Sequence, residues 1–178
     1  MRNLSSFQAS NQLGIYTKAR FAIWLLVGSN IAQSRYCHRK IRIEIIRFFG
    51  AKVGKRLILR HGFKLHFPWN LEIGDDCWIG EEVWFINHEK IRVGSNVCIS
   101  QRSIICSGGH DYRSASLEYA HKPIEIKDGA WVCLDAKVLS GVTIGECSVV
   151  SAGEVARKSV PDYSMLVGGE IRPIDPPK

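Results

Sequence analysis

Aliphatic residues recur every six positions along much of this chain. Ile126, Val132, Val138, Ile144 and Val150 form the longest run. Ile73, Ile79 and Phe85 form a second, and Val93, Ile99 and Ile105 a third. This period fits neither a 3.6-residue helix nor an alternating strand. It predicts a triangular coil of short parallel strands, each sending one side chain inward. Such turns bury a continuous core only by stacking. Gly or a short polar residue after the aliphatic position suggests tight corners with positive φ.

The beat has two interruptions. Phe85 to Val93 is a step of eight, and the two added residues fall around Asn87 and His88. Ile105 to Ile126 spans 21 residues, against 18 for a full turn. Its surplus lies in SGGHDYRSASLEYAHKP, which predicts a loop projecting over 107–123. The earliest turns read as imperfect, broken by His61, His66 and Pro68. Pro161 is expected to end the coil, with VPDYSMLVGGEIRPI folding back as an irregular strand or tail.

Upstream, residues 1–17 read as irregular. From Lys18 to Phe49 the pattern predicts one or two amphipathic helices. Phe21, Trp24, Leu25 and Gly28 give one apolar face; Ile41, Ile45, Phe48 and Phe49 give another, broken at Gly50. An open solenoid end needs covering, and these helices are placed to cap it. The predicted organisation is a 1–52 extension, a 53–160 coil and a 161–178 tail.

Charge divides the 178 residues unequally. Residues 1–64 hold 13 Lys or Arg and one acid, Glu44; residues 65–178 hold 11 basic and 16 acidic residues. Arg35, Arg39, Arg42 and Arg47 are expected to form a basic surface. Such a surface suits an anionic membrane or phosphorylated glycan carrier; a solvated helix face is the alternative. No motif supports nucleic-acid binding. The longest apolar stretch, Phe21–Ile31, is too short to span a bilayer and lacks the pattern of a secretory signal, so the expected location is cytoplasmic, with contact at the membrane's inner face. The six cysteines contain no CxxC and read as packed thiols.

PIEIKDGAWVCLDAKVLSGVTIGECSVVSAGEVARKSVP resembles the terminal signature of the hexapeptide-repeat acyltransferases. RFFGAKVGK, FPWNLEIGDDCWIGEEV and ISQRSIICSGGHDY are similar to acetyltransferases of colanic-acid and other exopolysaccharide clusters. Together these segments span most of residues 47–145. The resemblance implies an all-β solenoid, a left-handed parallel β-helix assembled as a homotrimer with active sites between subunits. It implies acetyl-CoA as cosubstrate, with no metal required, and a sugar or lipid-linked glycan hydroxyl as acceptor.

His110, in SGGHDY, matches the family's catalytic base. A histidine titrates near neutrality and suits proton removal from a hydroxyl. The preceding Gly108 and Gly109 are expected to permit an unusual backbone path. Asp111 is a candidate to orient the imidazole. Asn87 and His88 are candidates for the acceptor pocket, where the galactoside enzyme has a carboxylate; exposed bulge residues are the alternative. For the cofactor, the resemblance points to Trp131 at the thioester channel and Ala152 where pantetheine passes closely. Arg157 and Lys158 match a pair near the CoA phosphates, although 157 is often Thr in the family. Arg172 matches a basic tail residue near adenine. The oxyanion donor is expected to be a backbone N–H near Ser107–Gly109 or Trp131. No cysteine has a nucleophile's setting. Asp75, Asp76, Glu81 and Glu82 read as exposed corner charges, with a metal site as the alternative.

Two other functions fit the same residues. One is N-acetylation of an amino sugar. The other is a non-catalytic scaffold like the carbonic-anhydrase-like relatives, for which His61, His66, His88, His110 and His121 lack a specifying spacing.

Overall fold

The computed structural model describes Ser5 and residues 15–176. The expectation for residues 1–14 lies outside that range. Helix α1 (Ile15–Ile23) runs through a π-helical turn, Trp24–Gly28, into α2 (Ser29–Gln33). Residues 15–17 are therefore helical rather than irregular. Helix α3 (Arg39–Phe48) follows.

The coil then makes five three-stranded turns. The first holds β1 (Lys52–Val53), β2 (Ile58–Leu59) and β3 (Lys64–Leu65); the second holds β4 (Leu71–Ile73), β5 (Trp78–Ile79) and β6 (Trp84–Ile86). The third holds β7 (Ile91–Val93), β8 (Cys98–Ile99) and β9 (Ile104–Cys106). The fourth holds β10 (Ile124–Ile126), β11 (Trp131–Val132) and β12 (Lys137–Val138); the fifth holds β13 (Thr143–Ile144), β14 (Val149–Val150) and β15 (Val155–Ala156). Strand β16 (Ser164–Val167) continues the second face, and β17 (Glu170–Pro173) returns antiparallel to it. Equivalent strands stack in parallel as three flat faces: A through β1, B through β2 and C through β3.

The six-residue beat is the inward row of all three faces. Ile73, Val93, Ile126 and Ile144 align on face A; Ile79, Ile99, Val132 and Val150 align on face B. Phe85, Ile105 and Val138 align on face C. All are buried, which places apolar burial, the main favourable term in folding, along the prism axis.

Three expectations about this coil change. First, its opening turn is as regular as the second: Val53 pairs with Ile73 and Ile73 with Val93, twenty residues per turn in both. Leu65 to Ile73 is thus another step of eight. Second, Ile105 and Ile126 sit on neighbouring faces, one corner apart, so a regular step is six and fifteen residues are extra. Both eight-residue steps and this insertion fall on the edge between faces C and A. Third, Pro161 does not end the coil. Ser164 and Leu166 keep the inward pattern, and Gly168 and Gly169, both at positive φ, make the reversal into β17.

The glycines after the beat also act differently. Gly74 and Gly94 lack positive φ; they leave room for the next turn, whose backbone would lie 2.7 and 2.8 Å from their added Cβ atoms. The left-handed positions come two residues later, at Asp76 and Asn96, with Glu82 and Arg102 on the next corner. Asp76 pairs with Arg56 and Arg102 with Asp135, so charges bridge stacked turns there.

The helices cap the open end through three side chains. Among the described residues, no strand precedes the first turn to meet the carbonyls of Val53, Leu59 and Leu65. Arg47 Nη2, Arg42 Nη1 and Trp24 Nε1 donate to them, one per face, each at 2.9 Å. Arg42 also donates to the carbonyls of Ala32, Ser34 and Cys37. It is buried, and Arg47 pairs with Glu44, so neither adds to a free basic surface. The apolar faces shift likewise. Helix α3 buries Ile43, Ile46 and the following Phe49, while Ile41 and Phe48 face outward; Leu25 is also exposed.

Candidate active site

The insertion is an ordered hairpin standing on the edge between faces C and A. Gly109 and Ala120 pair through Ala120 N–H, and Asp111 N–H donates to Glu118 O. His110 and Tyr119 face each other across this ladder. Ser140 fixes the base: its hydroxyl donates to Ser107 O at 3.0 Å and accepts from Lys122 N at 2.8 Å. Ser107 ties the hairpin to the turn below by accepting from Glu89 N and donating to Glu89 O.

His110 is exposed on this platform. Its Nδ1 lies 2.5 Å from Leu117 O. A carbonyl only accepts, so Nδ1 carries a proton, which makes Nε2 the basic nitrogen of the neutral ring. Leu117 presents that carbonyl from a left-handed conformation, φ 54°. The orienting group is thus a backbone carbonyl. Asp111 turns to the hairpin tip, where its carboxylate accepts from Arg113 N at 2.9 Å.

His121 is the residue that sequence reasoning did not place. Its Nδ1 accepts the Gly109 N–H at 3.0 Å, beside His110. Its ring stacks on His88 with centroids 4.7 Å apart and 22° between planes, and lies 4.6 Å from Tyr119. Tyr119 is 5.1 Å from His110. His66 joins below, 5.6 Å from His88, and Phe67 lies 5.4 Å from His88. One column of rings therefore climbs the edge from the first turn to His110. Burial lowers the proton affinity of His66, His88 and His121; for His88 the neighbouring imidazoles add to it, whereas for His121 Glu89 opposes it.

The two glycines before His110 serve this column by lacking side chains, not by positive φ. A Cβ on Gly108 would lie 2.9 Å from the His88 ring, and one on Gly109 would lie 3.1 Å from Ala120 O.

Asn87 is fully buried beneath this surface. Its amide accepts from Phe67 N at 3.0 Å and donates to Phe67 O at 2.6 Å, while Asn70 donates to the carbonyls of Asn87 and His88. It holds the corner that presents His88, so of the pair only His88 reaches the column.

The expected cofactor residues lie elsewhere. Trp131 and Arg172 share one register row on face B, with Val149 and Met165 between them. Trp131 is 48% exposed and donates from Nε1 to Ser100 Oγ at 3.0 Å; Arg172 pairs with Glu170. Ala152 is exposed at the corner between faces B and C. Arg157 and Lys158 are exposed after β15, on the His110 edge but two turns farther along. In a three-faced prism, face B lies opposite the edge shared by C and A. One subunit therefore keeps Trp131 and Arg172 away from its own His110.

Asp75 accepts from Lys55 N, and Asp76 is held by Arg56. Among the described residues, no group of three or more His, Cys, Asp or Glu is arranged to hold a metal ion. The six cysteines are free thiols, of which Cys77 alone is fully buried. Among the described residues, no helix is long and apolar enough to cross a membrane.

No protein-family model matches the chain. Over 162 residues it is 34% identical to the protein described as "Putative colanic acid biosynthesis acetyltransferase WcaF" of Escherichia coli strain K12, covering 90% of this chain and 89% of that one. The chain belongs to the hexapeptide-repeat acetyltransferases. The fold agrees: a hexapeptide-repeat acetyltransferase of Vibrio cholerae superposes with a TM-score of 0.79 at 26% identity, over 89% of this chain and 91% of its own. A second structure of that protein, from Vibrio cholerae O1 biovar eltor and complexed with acetyl coenzyme A, gives 0.80 at 25% identity, over 89% and 87%. This hexapeptide-repeat acetyltransferase thus combines the family coil with a hairpin-mounted histidine and an imidazole column beside it.

Proposed function

We propose that this acetyltransferase moves the acetyl group of acetyl-CoA to a sugar hydroxyl in the synthesis of an exopolysaccharide or other surface glycan. The observation that carries the reading is the His110 geometry: Nδ1 bonded to Leu117 O, which assigns the basic role in the neutral ring to Nε2. The colanic-acid relative supports the polysaccharide context, and the acetyl-CoA complex of the Vibrio cholerae protein supports the donor.

Nε2 of His110 accepts the proton of the acceptor hydroxyl as its oxygen bonds to the thioester carbonyl carbon. The resulting oxyanion needs a donor, and a backbone N–H of the hairpin base or of the Trp131 corner serves. Collapse breaks the C–S bond, and the imidazolium returns its proton to the departing thiolate. His88 lines the acceptor side, with Asn87 holding its corner and Asp111 shaping the hairpin tip.

Trp131 and Arg172 reach a His110 only from another copy, which supports a homotrimer with active sites between subunits. In that assembly Trp131 flanks the thioester, Ala152 leaves room for the pantetheine arm, and Arg157, Lys158 and Arg172 meet phosphates and the nucleotide end.

The test is release of free CoA from purified protein given acetyl-CoA and candidate glycan acceptors. His110→Ala lowers kcat at least about 100-fold, the scale of a lost general base. Turnover near that of the unaltered protein would sink the assignment. Product NMR separates an ester from an amide.

A further inference from the structure

We propose that the outer face of the helical cap docks on an anionic lipid bilayer. The cap's inner side is committed to the coil through Trp24, Arg42 and Arg47. Its outer side exposes large apolar groups. Ile23, Val27 and Ile31 recur every four residues and are 55%, 52% and 48% exposed; Leu26 is 75%, Ile41 56% and Phe48 84% exposed. Ile31, Tyr36 and Ile41 line one shallow groove, and Ile41, Ile45 and Phe48 line the next, so the two helical segments present one continuous surface. An apolar patch of this kind marks an interaction site.

Charge decides the occupant. Arg35, Arg39 and Lys40 border the patch, are exposed, and have no carboxylate within ion-pair distance among the described residues. Glu44, the single acid of residues 1–64, is paired with Arg47. A second copy meeting this face symmetrically would bring Arg35, Arg39 and Lys40 against themselves. A nucleic acid would satisfy the cations but offer no apolar phase for Leu26 and Phe48. An anionic bilayer supplies both: headgroup charge for the cations and an acyl boundary for the side chains. The surface stands independently of the proposed chemistry, because docking and acetyl transfer are separate measurements.

The test floats the full chain with vesicles of phosphatidylcholine alone or mixed with phosphatidylglycerol. Binding at low salt should be at least about tenfold stronger on the anionic vesicles and should weaken as salt screens the cations. Leu26→Glu with Phe48→Glu, and separately Arg35→Glu with Arg39→Glu and Lys40→Glu, should each reduce binding about tenfold. Thermal melting and CoA release with a soluble acceptor should stay unchanged in both. If the apolar pair fails to fold, the charge variant decides. Absent binding at low salt, equal binding to neutral vesicles, or undiminished binding of a folded variant overturns docking. So does a drop in oligomeric mass of the Leu26→Glu, Phe48→Glu protein in light scattering, which would make the face a contact between copies. In the unaltered protein, absent vesicle binding with transfer intact sinks docking alone, and absent transfer with binding intact sinks the proposed chemistry alone.

Discussion

Gly109 donates its backbone N–H to Nδ1 of His121 at 3.0 Å, one residue before His110 and across the hairpin that carries it. The bond fixes the strand from which the proposed base projects. It needs an acceptor at the Nδ1 position, which a neutral ring with that nitrogen bare supplies. His121→Ala is expected to lower kcat about tenfold through lost positioning. His121→Asn, whose side-chain oxygen reaches the same place, should restore most of it. Equal loss in both variants would remove this role.

The imidazole column makes stability sensitive to acid. His66, His88 and His121 all bind protons less readily in the fold than at the ordinary value of 6.5, chiefly because they are partly buried. With a depressed folded pKa, the unfolded chain takes up protons first as pH falls. Stability is therefore fully present above about pH 6.5 and declines as pH drops below it through the lower folded values. The melting temperature should fall across that window, and His66→Phe should flatten the decline. A melting temperature level down to the carboxylate range would contradict this reading.

Gly94 and Asn96 separate the two reasons for a corner residue. A Cβ on Gly94 would lie 2.8 Å from Asp128 N and meet the Asp128 carboxylate that caps Ser95 N. Gly94→Ala should destabilise by about 1–3 kcal/mol, as overpacking does. Asn96 has φ 58°, which Asn tolerates and Gly adopts freely. Asn96→Gly should change stability by less than about 0.5 kcal/mol. Denaturant titration of both variants checks the contrast.

Arg42 is the central peg of the cap. Arg42→Met keeps much of its length and removes the donors to Ala32, Ser34, Cys37 and Leu59 carbonyls. The loss is expected to be about 3 kcal/mol or more, since buried charge-assisted hydrogen bonds are broken and carbonyls left unpaired. Hydrogen exchange should show the first coil turn opening before the later ones. Uniform protection across the turns would argue against a local cap.

Much of the coil was legible in the sequence because one inward side chain per face is a one-dimensional pattern. Ile73 through Val150 could be read off by spacing alone. The steps at Asn87 and at SGGHDY were visible as departures from it. Their shared edge was not, because locating a corner requires knowing which face each strand joins. The earlier step from Leu65 to Ile73 went unread for the same reason. The roles of Asp111 and Asn87 were also illegible. Which way a side chain turns depends on the carbonyls and amides around it, and those belong to residues distant along the chain, such as Phe67 and Leu117.

The stacked coil, its helical cap and the loop that carries His110 are readable from the chain alone, since each rests on local periodicity or a local motif. The tertiary structure decided which residues meet. Stacking turns of twenty residues puts His66 and His88 on one edge, and the hairpin folds His121 back onto it beside His110. The same stacking sends Trp131 and Arg172 to the opposite face. The physical reason is that a beat fixes burial along the chain, whereas contact between turns depends on the register that backbone hydrogen bonds set between them.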